Sequence, residues 1–257
     1  MKISKYLQFA ILYLVIQGIG LADMYYGFNV VYGTPEMTNA LLLVEIILGI
    51  LVVYYVRRHA SWREVGYGDI RWLHVLWLVP LVLFAALADI AFLARIEVSN
   101  LQGSMVFDII VTAAVTLFVA FTEETMFRGI VLQGALRRHG PFVAMIISAI
   151  LFALLHALNV LGGMPLADLP NHLLVNLLFG LLMAPLALLI GNLTPLILFH
   201  FLYDFGVLES LIIPVGADQP ELLALILDFD FPVQILMTII LWVVIFIVRK
   251  RYDFQTG

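Results

Sequence analysis

Eight stretches of this chain are long and apolar enough to be read as helices crossing a hydrocarbon layer: residues 6–22, 40–56, 73–93, 106–136, 142–158, 173–190, 193–208 and 232–248. A spanning helix needs about 20 apolar residues. Inside a bilayer the backbone must satisfy its own hydrogen bonds, which favours helices over irregular chain. The composition agrees, with 63% hydrophobic and only 12% charged residues. The expected fold is therefore all-α, a polytopic membrane bundle of about eight transmembrane helices forming one domain over residues 1–257. The fourth stretch is the longest and should project beyond the membrane; the seventh is short and interrupted by polar residues. Pro80, Pro185 and Pro195 fall in or near helices, where membrane bundles tolerate them. Cysteine is absent, which excludes disulfides, thiolate catalysis and cysteine metal sites. No internal repeat or long linker is visible. Lys2 and Lys5 ahead of an apolar run ending Gly20-Leu21-Ala22 resemble a secretion signal. A retained first helix is nonetheless expected, because it preserves an even number of crossings.

Orientation follows from the basic residues. If the N-terminus is cytoplasmic and the helices alternate, Lys2, Lys5, Arg57, Arg58, Arg63, Arg71, Arg137, Arg138, Arg249, Lys250 and Arg251 all lie inside, and only Arg95 lies outside. Asp23, Glu36, Asp168, Glu209, Asp218, Glu221, Asp228 and Asp230 then lie outside. The expectation is an integral membrane protein, N-in and C-in, in a prokaryotic cell membrane, with no nucleic-acid partner. Trp62, Tyr67 and Trp72 are expected as interfacial aromatics around the inner loop. Glu45, Asp89 and Asp108 read as helix-end carboxylates near the outer interface. His59, His74, His139 and His172 lie near loops, and Asn176 suits an interhelical hydrogen bond.

The polar residues that loops do not account for carry the chemistry. Glu123-Glu124-Thr-Met-Phe-Arg128 ends the uncharged run 109–122. Ionisable groups at membrane depth are costly and mark functional sites by default. On a helix Arg128 is placed to pair with Glu124, which leaves Glu123, about 100° around the axis, free for another task. Phe152 and His156 lie on the next segment, and His200 and Asp204 share a face of the seventh. Glu123 and His156 lie sixteen to seventeen residues on either side of the turn near His139-Gly140-Pro141, so an antiparallel hairpin brings them level, each about 25 Å from it. His200 falls at a similar depth. One carboxylate, two imidazoles and a second carboxylate are thus expected to converge in the inner half of the bilayer.

These three motifs, Glu123-Glu124-x-x-x-Arg128, Phe152-x-x-x-His156 and His200-x-x-x-Asp204, resemble those of the CAAX protease and bacteriocin-processing (CPBP, or Abi) family of intramembrane proteases, which includes the Ras-converting CAAX prenyl endopeptidase. The resemblance covers about residues 107–205. It implies an eight-helix membrane endopeptidase acting on a membrane-associated or prenylated (CAAX-type) protein or peptide. Glu123 would activate water, Glu124 and Arg128 would form a supporting ion pair, His156 would hold the water with Phe152 packed against it, and His200 and residue 204 would stabilise the oxyanion. The eukaryotic enzymes have Asn at this last position; an ionised Asp204 cannot donate a hydrogen bond. A zinc site is the alternative, with ligands drawn from His156, His200 and either Glu123 or Asp204. Two other readings of the chain are a non-proteolytic scaffold or immunity protein of the same fold and a proton-coupled transporter, although the paired repeats typical of transporters are absent.

Overall fold

The computed structural model describes residues 4–93, 103–212 and 221–250. Among these there are no strands and eight main helical segments. They are α1 (Lys5–Gly27), α2 (Met37–His59), α3 (72–93), α4 (103–136), α5 (Pro141–Gly162), α6 (Leu169–Ile190), α7 (Thr194–Ile212) and α8 (Glu221–Val248). Six, in α1, α2, α4, α5, α6 and α8, are long and apolar enough to cross a membrane by themselves. The apolar part of α3 is shorter, Trp72–Leu87, and α7 carries the polar residues His200 and Asp204. The fourth helix is the longest apolar span, 32 residues from Met105 to Leu136.

Successive helices alternate in direction. The start of α1 packs Tyr6 on Gly134 near the end of α4. The end of α8 lays the Arg249 guanidinium 5.6 Å from the Phe142 ring at the start of α5. The α2–α3 loop bonds to the α6–α7 turn through Leu193 N–H to Gly66 O, Arg71 N–H to Ile190 O and the Asn192 amide to Gly68 O. The basic loops therefore gather at one end of the bundle, together with the start of α1 and the end of α8. Of the charges used to orient the chain, Lys2, Arg95, Asp218 and Arg251 lie outside the described residues, as do the side chains at 209, 221, 228 and 230.

Two local features were not expected. The long fourth helix is π-helical over Glu124–Val131, the turns that carry the Glu-Glu-x-x-x-Arg motif. Wide turns of this kind leave carbonyls that need other donors, and often sit at functional sites. Here the Ser148 hydroxyl of α5 donates to Phe127 O at 2.8 Å, and Thr125 donates to Phe121 O at 2.6 Å. Tyr67 is the second departure. Its hydroxyl turns inward, 2.6 Å from Thr125 Oγ1. Burial pushes this phenol up to about 12, so at neutral pH it is protonated and donates. Trp72, by contrast, is exposed.

Small residues allow the helices close approach, as in other membrane bundles. Gly180 of α6 faces the backbone of Ala149 on α5, where an added Cβ would lie 2.9 Å from the Ala149 Cα.

Candidate active site

α4, α5 and α7 bring together what the sequence placed on three separate segments. Glu124 and Arg128 are both fully buried and pair at 2.9 Å. The same Glu124 oxygen receives His200 Nδ1 at 2.9 Å. His200 Nε2 faces Asp204 Oδ2 at 3.2 Å and Glu123 Oε2 at 3.8 Å. With the carboxylates ionised, both ring nitrogens donate, which suits an imidazolium fixed at each end. The Arg128 guanidinium lies over Phe152, 4.1 Å from the ring centroid, and 5.8 Å from Phe179. Phe152 therefore supports the ion pair as well as packing against His156, whose ring centre is 4.7 Å away. His156 places Nδ1 3.0 Å from the Phe152 carbonyl. A carbonyl only accepts, so Nδ1 carries the proton and Nε2 keeps its lone pair.

Glu123 differs from its neighbour. It is 7% exposed, and its Oε2 has no hydrogen-bond partner in the protein. It opens onto a cavity of about 290 Å³, whose wall also includes the polar residues His156, Asp204, Tyr203, Asn159, His172 and Asn176. The cavity extends to Tyr32 in the α1–α2 connector and to the start of α6, at the end opposite the basic loops. Burial raises the Tyr32 phenol, with the Asp204 and Glu123 charges adding to the effect, so Tyr32 stays protonated above the site.

Several residues that the sequence left in loops or at interfaces belong to this wall. Glu45 is not an interfacial carboxylate: it is 2% exposed and receives a long 3.4 Å contact from Thr122, the residue before Glu123. His172 Nε2 meets the Asn159 amide at 2.9 Å and its ring lies 5.7 Å from that of His156. Asn176 does not bridge helices; its amide donates to His172 O one turn earlier on the same helix. Asp108 is exposed and receives a 3.2 Å bond from Asn39. A polar residue on an otherwise apolar helix was the available signal for Glu45. Its position near the helix end concealed the direction in which it points.

The donor set does not fit a metal ion. Among the described residues no three His, Asp or Glu side chains are grouped as a metal would require. His200 has each ring nitrogen against a carboxylate, and His156 has one directed to a carbonyl.

Residues 105–206, which run from α4 into α7 and contain all three motifs, match the model of the type II CAAX prenyl endopeptidase Rce1-like family. Over these residues the chain is similar to the Rce1-like family. No curated protein and no solved structure matches the chain. The Rce1-like match begins at α4, so α1, α2 and α3, which supply Gln17 and Glu45 to the cavity, lie outside it. Six helices apolar enough to cross a membrane, together with this match, support an integral membrane protein.

Proposed function

We propose that the protein is an intramembrane endopeptidase in which Glu123 activates water for attack on a peptide bond held in the cavity. The observation that carries this reading is the contrast between two adjacent carboxylates. Glu124 is tied to Arg128 and His200, whereas the buried Glu123 presents an oxygen without a hydrogen-bond partner to the cavity. In the reaction Glu123 takes a proton from the water as its oxygen bonds to the carbonyl carbon. His156 Nε2 accepts the water's other hydrogen bond and aims its lone pair. His200 Nε2–H, now against Asp204, donates to the oxygen that becomes negative, while its Nδ1 bond to Glu124 keeps the ring in place. Glu123 then gives the proton to the leaving nitrogen as the C–N bond breaks. Asp204 accepts from His200 and orients it, a role open to an ionised carboxylate. Given the family match, a membrane-associated or prenylated CAAX-type peptide is the first substrate class to offer. The positive-inside rule places the basic end, the start of α1 and the end of α8 in the cytoplasm.

The test is cleavage by the purified full chain in proteoliposomes, with Glu123→Gln as the control. Removing a general base and its charge should lower the rate by about 10²–10⁴-fold. Cleavage that survives this change would overturn the assignment.

A further inference from the structure

Beside the proposed base, part of the cavity wall carries hydrogen-bond acceptors. Gln17 from α1 and Glu45 from α2 lie side by side in it, 8% and 2% exposed. Gln17 lies within hydrogen-bonding reach of Glu45, and its Oε1 has no hydrogen-bond partner in the protein. A buried carbonyl oxygen left in this way calls for a donor, since an unmade bond there costs the group its desolvation. The cavity is lined by three carboxylates, Glu45, Glu123 and Asp204, and by neither lysine nor arginine among its lining residues. Arg128 is fully buried behind Glu124. The connectors that frame the far end, 22–36 and 157–172, contain Asp23, Glu36 and Asp168 and no lysine or arginine. A substrate carboxylate would meet no lysine or arginine in this wall, whereas an ammonium would meet acceptors and a favourable field.

We propose that Gln17 and Glu45 form an ammonium-binding subsite that selects peptides carrying a positive charge close to the bond cut. The inference rests on the peptidase reading above. Thr122 contacts Glu45 and precedes Glu123, so the bound ammonium lies near the reacting carbonyl. The ammonium can be a lysine side chain or a free amino terminus; the chemistry is the same, and three N–H donors match Gln17 Oε1 together with the Glu45 carboxylate. Both residues lie on helices outside the residues of the family match.

The probes are apolar peptides carrying one lysine at successive positions, the same peptides with norleucine, and each with its amino terminus free or acetylated. With the full chain in proteoliposomes, one ammonium-bearing arm should show kcat/KM about tenfold or more above its neutral counterpart, the scale of a charge-assisted hydrogen bond. Loss of the preference on acetylation assigns the ammonium to the amino terminus, and loss on norleucine assigns it to lysine. Glu45→Gln and Gln17→Ala should each erase the preference while the neutral peptides are still cleaved. Glu123-dependent cleavage without charge preference, or a preference unchanged in both variants, overturns the subsite and leaves the peptidase reading intact. If no peptide is cleaved in a Glu123-dependent way, the peptidase reading fails and binding decides the subsite. Thermal stabilisation of the detergent-solubilised protein by an ammonium-bearing peptide, absent with the neutral one and in Glu45→Gln, supports it. Equal or no stabilisation overturns it.

Discussion

Glu124 accepts from Arg128 and from His200 inside a fully buried cluster, so neutralising it strands a guanidinium that rests otherwise on the Phe152 ring. Breaking a buried pair in this way typically costs roughly 3–5 kcal/mol. Glu124→Gln should therefore lower thermal stability in detergent as well as activity. Glu123→Gln, which removes no hydrogen bond within the protein, should leave the unfolding temperature near that of the wild type. Equal destabilisation by the two variants would contradict the division of labour. Asp204→Asn tests the third carboxylate. The Asn oxygen can still accept from His200 Nε2, so the ring should stay oriented, and the change from a charged to a neutral acceptor should cost about tenfold in rate. Peptide cleavage with and without chelator checks this. Collapse of activity restored by added zinc would instead favour metal chemistry.

At the scale of the helix, α4 positions the site through its π turns. A straight α-helix would have carried the motif just as well on paper, since Glu124 and Arg128 pair at i,i+4 in either. The wide turns are held by Ser148, Thr125 and Tyr67, none of them a fixed position of the motif. α5 and α6 meet through Gly180, where the backbone of Ala149 leaves no space for a side chain. Gly180→Ala forces the two helices apart and should destabilise the bundle by about 1–3 kcal/mol despite its better helix propensity. A lower unfolding temperature, with residual activity reduced by displacement of His156, is the expected result. An unchanged melt would show that α5 and α6 separate freely.

Across the whole molecule, the alternation of eight helices puts the basic loops at one end and the cavity mouth toward the other. Reporter fusions at Asp168 and after α8 should report opposite sides of the membrane, with the latter cytoplasmic. A same-side result would refute the alternating arrangement, and a reversed result would refute the orientation. With the proposed orientation, the cavity reaches the outer half of the bilayer, so substrate segments should enter from that half.

The membrane class, the helix count and the three motifs were legible in the chain because each depends on local quantities: the length of an apolar run, the sign of charges in loops, the spacing of polar residues along one helix. The pairing of Glu124 with Arg128 was legible for the same reason, as neighbours one turn apart. Only tertiary structure decided that Glu124 also holds His200, that Phe152 underlies Arg128, and that Glu45, Gln17 and His172 share the cavity with Glu123. Helices that are apolar on nearly every face give no amphipathic signal of which side meets protein and which meets lipid. A carboxylate such as Glu45 can therefore be read as interfacial until the packing of α1, α2 and α4 around it shows that it faces inward.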